Sequence, residues 1–223
     1  MNDLKNMKNK ISEKTINTKG AFIAFEGIDG SGKSTQISYL LKRLKEKNIR
    51  CYETREPTDS PIGSLIHQIM TGRIQTDNKV IAALFVADRL DHLTNNIDGI
   101  CQKIDEGITV ISDRYYFSSY AYHSVDMEMD WVIDANSVCA EYLKPTCTIF
   151  IDVNPDEAIK RIYKDRFKSE LFETHERLTL VRKKYFEAFE KLNHKENIII
   201  INGNNTVQQI SDEIWDNISY LFE

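Results

Sequence analysis

Apolar and polar positions follow one another in a repeating order: a short apolar run, then a helical stripe. Ala21-Phe-Ile-Ala-Phe-Glu26 is apolar up to its final acid and reads as a buried strand. Ile37, Leu40, Leu41 and Leu44 recur at i, i+3, i+4 and i+7, the spacing of an amphipathic helix. Ile49–Thr54 reads as a second strand, and Pro57 argues against regular structure beyond it. Ile62, Leu65, Ile66 and Ile69 predict a short helix that Ser60 caps, Pro61 opens and Thr71-Gly72 closes. Asp77 begins a longer helix to about residue 96, with Ile81, Leu84, Phe85 and Leu93 on a face shared with Asp88, Arg89 and Asp91. Ile97, Ile100, Cys101 and Ile104 predict another, stopped by Gly107.

Ile108–Ser112 is the third predicted strand, with Asp113 just past its end. Residues 114–122 are aromatic, hydroxyl-rich and expected to be helical, and a single helix is expected over Trp131–Tyr142. Thr146–Asp152 is the fourth strand, with Asn154-Pro155 starting a helix. A dense charged segment over 161–173 precedes a long helix to about residue 193. Ile198–Ile201 is the fifth strand, and Val207, Ile210, Ile214, Ile218 and Leu221 mark a closing helix. Such alternation predicts an α/β fold: a five-stranded parallel sheet with helices on both faces, in three layers. Residues 1–19, rich in Asn and Lys, read as a polar tail ahead of one domain spanning 20–223.

The turn after the first strand carries the chemistry. Gly27-Ile28-Asp29-Gly30-Ser31-Gly32-Lys33-Ser34-Thr35 fits G-x-x-x-x-G-K-[ST] without mismatch, between a strand and a helix as that motif requires. Its glycines let consecutive backbone N–H groups surround phosphate oxygens. Lys33 can reach the β- and γ-phosphates, the Ser34 hydroxyl can ligate Mg²⁺, and the helix start adds its positive end. The fold expected is therefore the P-loop nucleoside triphosphate hydrolase type.

Composition narrows the partners. A chain of 223 residues fits one well-buried domain, and a net charge of −5 argues against broad nucleic-acid binding while leaving room for a local phosphate pocket. Cys51, Cys101, Cys139 and Cys147 form no C-x-x-C pair and lie mostly in apolar-periodic segments, so buried free thiols are expected rather than a metal site. No apolar run approaches the ~18 residues of a membrane span and no signal-peptide pattern opens the chain, so a cytosolic (cytoplasmic) protein is expected.

A P-loop alone specifies triphosphate binding, not function. Asp113 at a strand end can help hold Mg²⁺ opposite Ser34, and Arg114 beside it offers a planar fork suited to phosphate. Arg55, also just past a strand, points to the same sheet edge, so Lys33, Arg55 and Arg114 outline a site for two phosphate groups.

Four ordered motifs then carry a resemblance. Phe25 to Gln36 across the P-loop, Thr54-Arg-Glu-Pro57 with Pro61-Ile-Gly63, Leu84-Phe-Val-Ala-Asp-Arg89, and Asp113-Arg-Tyr-Tyr-Phe-Ser-Ser-Tyr-Ala-Tyr122 resemble the motifs of thymidylate kinases, as does Leu143 to Pro155. The resemblance covers about residues 20–222 and implies transfer of the ATP γ-phosphoryl group to dTMP, with Mg²⁺, by a homodimer. It implies that Phe85 stacks on thymine, Arg89 donates to a thymine carbonyl, Ser119 lies at the base edge, and Tyr122 sits under the sugar and disfavours a ribose. It implies that Asp29 approaches the sugar 3′-hydroxyl or a phosphate-binding arginine, and that Arg55 and Arg114 hold the acceptor phosphate.

Three positions depart from the family pattern. Gly30 stands where some members carry a basic residue, which points to an arginine supplied by a lid over 161–173: Arg161 first, then Arg166, with Lys164 also in reach. His123 replaces a usual Gln at the base site, and Thr58-Asp-Ser60 replaces Gly-Gly-Thr beside Arg55. Two rivals stay open. A deoxynucleoside kinase would need a carboxylate base, for which Glu26 or Glu56 is available. A regulator using ATP as a switch would bind nucleotide without acceptor turnover.

Overall fold

The computed structural model describes residues 19–165, 174–192 and 194–223, the side chains at 164 and 165 excepted. Five parallel strands, β1 (Phe22–Glu26), β2 (Cys51–Arg55), β3 (Thr109–Asp113), β4 (Cys147–Asp152) and β5 (Ile198–Asn202), form one sheet in the order β2-β3-β1-β4-β5. The central strands β1, β3 and β4 are buried along almost their whole length, whereas the edge strands β2 and β5 are mostly half-buried or exposed, Ile201 of β5 alone being buried. That contrast follows from helices covering both faces: only an edge strand retains a face or side toward water.

The helices are α1 (Lys33–Glu46), α2 (Pro61–Met70), α3 (Asn78–Thr94), α4 (Ile100–Asp105), α5 (Tyr116–His123), α6 (Met129–Ala135), α7 (Ser137–Tyr142), α8 (Pro155–Asp165), α9 (His175–Leu192) and α10 (Val207–Ile218), which runs into a 3₁₀ turn at Ser219–Phe222. Local signals start them as expected. Ser60 Oγ accepts from Gly63 N at 3.1 Å ahead of Pro61, and Asp77 Oδ1 accepts from Lys79 N at 2.8 Å. Thr206 and Gln209 form a reciprocal capping box. β1 is the switch point of the sheet, since the chain leaves it for β2 on one side and later reaches β4 on the other. The crevice at its carboxyl end is where an open α/β sheet receives ligands.

Several boundaries differ from the sequence reading. The second strand is shifted to Cys51–Arg55, and Asp113 is the last residue of β3 rather than the first beyond it. Ile97 belongs to no helix and is 85% exposed: Asn95 Oδ1 accepts from Ile97 N at 2.9 Å, an Asx turn that ends α3. The helix expected over Trp131–Tyr142 is two, α6 and α7, separated at Asn136. There the Asn136 amide donates to Val132 O at 2.8 Å, competing with the backbone ladder, while its oxygen is turned to Arg89. Cys139 and Cys147 are buried and Cys51 and Cys101 half-buried, all four as free thiols. Among the described residues no helix is long and apolar enough to cross a membrane. The tail over 1–18, residues 166–173 of the expected lid and the final residue of the long helix lie outside the described residues.

Candidate active site

The P-loop closes over the carboxyl end of β1. Gly30 and Gly32 take φ of 75° and 96°, left-handed values that a side chain disfavours. At Gly30 space forbids a side chain as well, because a Cβ would lie 2.4 Å from Ala158 O in α8. The absence of a basic residue there is thus built into the packing of α8 on the loop. Lys33 is buried and donates to Gly27 O at 3.2 Å and Ile28 O at 3.3 Å. Burial and the neighbouring Arg114 pull its pKa below the ordinary lysine value, against Asp113, Asp29 and Glu26.

Ser34 Oγ donates to Asp113 Oδ2 at 2.9 Å, which pairs the P-loop hydroxyl with the strand-end carboxylate. Asp113 Oδ1 is buried and has no hydrogen-bond partner among the described residues. A hydroxyl beside a carboxylate with an unspent oxygen is the donor set a hard, oxygen-seeking cation takes when phosphates and water supply the rest. No cluster of three His, Cys, Asp or Glu competes for a metal among the described residues.

Next to it Arg114 adopts φ 76°, unusual for a non-glycine residue, and its two terminal nitrogens make four hydrogen bonds. It donates to Asp29 Oδ1 at 2.6 Å, Ser118 Oγ at 2.9 Å, Tyr122 Oη at 3.2 Å and Gly27 O at 3.3 Å. Tyr122 Oη donates to Asp29 Oδ2 at 2.8 Å. Burial works against the charge on Asp29, but Arg114 and Lys33 outweigh it and hold the carboxylate below its usual range. Beneath this triangle Glu26, with no exposed surface, accepts from Tyr115 N at 2.8 Å, Ser118 N at 3.1 Å, Ser118 Oγ at 2.6 Å and Tyr185 Oη at 2.8 Å. Burial nonetheless raises its pKa. Glu26 therefore ties the first turn of α5 to the end of β1 and fixes Arg114 through Ser118.

A single cavity of about 730 Å³ runs over these groups. One end is bordered by Gln36, Arg161, Asn205, Val207 and Ile210, beside the P-loop. Gln36 Nε2 donates to Val207 O at 3.0 Å and so pins α10 beside α1. Arg161 donates to Gly203 O at 3.1 Å and contacts Ser31 O at 3.5 Å and Glu157 Oε1 at 3.4 Å, which holds it against the donor half of the loop. Arg166 and the Lys164 side chain lie outside the described residues.

The other end is walled by Phe85, Ser119, Tyr122 and His123. The Phe85 and His123 rings lie 5.1 Å apart at 60°. Burial and the nearby Arg89 and Arg177 lower the His123 pKa to about 4, so its ring is neutral near pH 7. Arg89, 1% exposed, stands behind Ser119 and donates to its Oγ at 3.1 Å. Its guanidinium also bonds Asn136 Oδ1 and pairs with Glu56 Oε2 at 2.8 Å and 2.6 Å. Arg55 also lines the cavity and pairs with Asp59 at 2.9 Å.

P-loop residues Asp29 to Thr35 and Arg55, Phe85, Asp113, Arg114, Ser119, Tyr122, His123 and Arg161 thus line one crevice, whereas Gly27, Ile28 and Arg89 are not among its lining residues. Sequence reasoning missed Asn136, which anchors Arg89, and the cavity residues Gln36, Arg177 and Asn205. Asn136 sits mid-pattern in an apparently continuous helix and carried no signal. Glu56 was visible only as a candidate base.

Fold and cavity define the class: a P-loop kinase, whose cavity is lined both by the P-loop and by the aromatic wall of Phe85, Tyr122 and His123. The thymidylate kinase family model matches residues 25–214, and the chain belongs to that family. It is 36% identical to a protein of Methanocaldococcus jannaschii described as a probable thymidylate kinase, over 90% of this chain and 95% of that one. It is 43% identical to a probable thymidylate kinase of Pyrobaculum calidifontis, over 74% of this chain and 80% of the relative. A thymidylate kinase of Clostridium novyi is 33% identical over 88% of this chain and 97% of its own length.

Proposed function

We propose that this enzyme transfers the γ-phosphoryl group of ATP to dTMP, giving dTDP and ADP on the route to dTTP. The observation that carries the reading is that one cavity is lined by both the P-loop and the Phe85–His123 wall, with Arg114 and Arg55 also in its lining. The P-loop amides of residues 27–35 and Lys33 bind the donor phosphates. Arg114 and Arg55 hold the acceptor phosphate in line with the donor, where a dianionic phosphate oxygen is itself the nucleophile. Positioning and charge neutralisation then carry catalysis.

The disposition of carboxylates supports a phosphorylated acceptor. Glu26 is buried under four donors, and both Glu56 oxygens are occupied by Arg89 and His92. Neither is placed to deprotonate the 5′-hydroxyl of an unphosphorylated nucleoside. Asp29 and Tyr122 meet the sugar, and the packed Tyr122 ring opposes a 2′-hydroxyl. Phe85 stacks on thymine, with His123 beside it. Ser119, held from behind by Arg89, presents its hydroxyl toward the base carbonyls.

Ser34 and Asp113 would hold Mg²⁺, Asp113 directly or through water. When bound, the ion neutralises charge on the donor phosphates. Arg161, from the base of a lid over 161–173, and Arg166 are the arginines that would stabilise the transferring group, a contribution of about 10³–10⁵ in rate for such a residue. A homodimer is consistent with exposed Val80 and Ile97 in the 62–100 region, and cytoplasmic residence with the lack of a membrane-crossing helix among the described residues.

A coupled ADP-release assay with Mg·ATP and dTMP, dUMP, dCMP, dGMP, AMP or thymidine tests the reading. Strong turnover with dTMP, less with dUMP and none with thymidine is expected. Turnover of thymidine or of another monophosphate instead would discard Phe85 and Arg89 as base readers. No turnover with any acceptor would replace the kinase by a nucleotide-dependent regulator.

A further inference from the structure

Arg55 already has an anionic partner. Its Nη2 donates to Asp59 Oδ1 at 2.9 Å and to Asp59 Oδ2 at 3.0 Å, so one guanidinium nitrogen is shared by both carboxylate oxygens. Arg55 lines the cavity and ends β2, whereas Asp59 lies four residues on, in the loop that leads into α2. Both side chains are largely solvent-exposed, at 63% and 79%. Their neighbours in that loop are held differently. Thr58 N, Thr58 Oγ1 and Ser60 Oγ all bond the buried carboxylate of Asp88, at 2.8, 2.6 and 3.0 Å. The loop is therefore anchored on both sides of Asp59. Among the described residues the Asp59 carboxylate makes its hydrogen bonds to Arg55 alone.

We propose that Asp59 competes with the acceptor phosphate for Arg55, tuning acceptor affinity, and must be displaced by the incoming phosphate. The inference rests on the reading of Arg55 as an acceptor-phosphate ligand. A carboxylate and a phosphate oxygen compete for the same fork of donors, and a dianionic phosphate brings more charge and more oxygens than a carboxylate does. A neutral nucleoside brings nothing that can release Arg55. Asp59 also places a like charge beside the arriving phosphate. Both effects weaken the binding of a phosphorylated acceptor and leave the chemical step alone, because Asp59 is not among the residues that line the cavity.

Asp59→Asn removes the charge while keeping size and loop geometry. Steady-state kinetics with Mg·ATP and dTMP, set against thermal unfolding, tests the idea. An exposed ion pair of this kind is worth a factor of about two to five in an equilibrium. Asp59→Asn is therefore expected to lower KM for dTMP about two- to fivefold, with kcat and KM for ATP unchanged and Tm lowered by no more than about 4 °C. Asp59→Glu, which keeps the charge, is expected to stay near the wild-type KM. A KM for dTMP that is unchanged or raised in Asp59→Asn would overturn the proposal, since a merely supporting Asp59 would do one or the other. Failure of the underlying reading is separately visible: wild type would not phosphorylate dTMP, or Arg55→Ala would leave KM for dTMP unaltered.

Discussion

Glu56→Gln isolates the charge on which the acceptor end depends. Glu56 and Arg89 are 2% and 1% exposed at their side chains, and the carboxylate takes Nε and Nη2 of Arg89 at 2.8 and 2.6 Å. Its other oxygen meets His92 Nδ1 at 3.2 Å. Burial disfavours the Arg89 charge, yet Glu56 outweighs that cost and raises the guanidinium above its ordinary pKa. Glutamine keeps the volume and one acceptor but leaves a buried guanidinium with only neutral partners, Ser119 and Asn136. Removing one member of a buried pair costs about 3–5 kcal/mol. Retention of an amide oxygen argues for the lower end. In a domain of this size each kcal/mol moves Tm by about 2–4 °C, so a drop of roughly 6–12 °C is expected. Far-UV circular dichroism on heating the ligand-free protein measures it. Arg89→Met combined with Glu56→Gln should lose less than the sum of the two single losses, by about 0.5–3 kcal/mol, because the double variant no longer buries an unpaired charge. A Tm within about 2 °C of wild type for Glu56→Gln, or strict additivity in the cycle, would refute the claim that this pair holds the base wall.

Three further outcomes are expected. His123, with a folded pKa near 4 against the ordinary 6.5, binds its proton less readily folded than unfolded, so its contribution to stability is complete above pH 6.5 and declines as pH falls toward 4. His123→Gln should accordingly lose less stability than wild type over that window in urea titrations, and an identical decline would show that the ring is not desolvated. Asp113→Asn should lower turnover about 10–100-fold and raise the Mg²⁺ concentration needed for half-maximal rate, with dTMP binding by calorimetry preserved; an unchanged Mg²⁺ dependence would remove Asp113 from the metal site. Arg161→Ala should lower kcat at least about tenfold with little change in dTMP affinity, and if Arg166→Ala alone does so, the transfer role moves to Arg166.

What could be read from the chain was what depends on near neighbours. The P-loop, the Ser60 and Asp77 caps and the strand-end Asp113 are each specified by a few consecutive residues, and each stands where its pattern placed it, Asp113 within one position. The helix broken at Asn136 and the exposed Ile97 were misread because side-chain bonds to backbone displaced the helical ladder, and an apolar stripe carries no trace of such a bond. The carboxylates show the limit most clearly. Glu26 ends a strand and Glu56 follows one and, as letters, both serve equally as bases, anion-site anchors or caps. Their roles are decided by donors far along the chain: Ser118 and Tyr185 for Glu26, Arg89 and His92 for Glu56. Once those donors are in place neither acid has an oxygen to spare, and Asp113 keeps one. Hydrogen-bond saturation thus separates Glu26 and Glu56 from Asp113, a distinction that only the folded chain expresses.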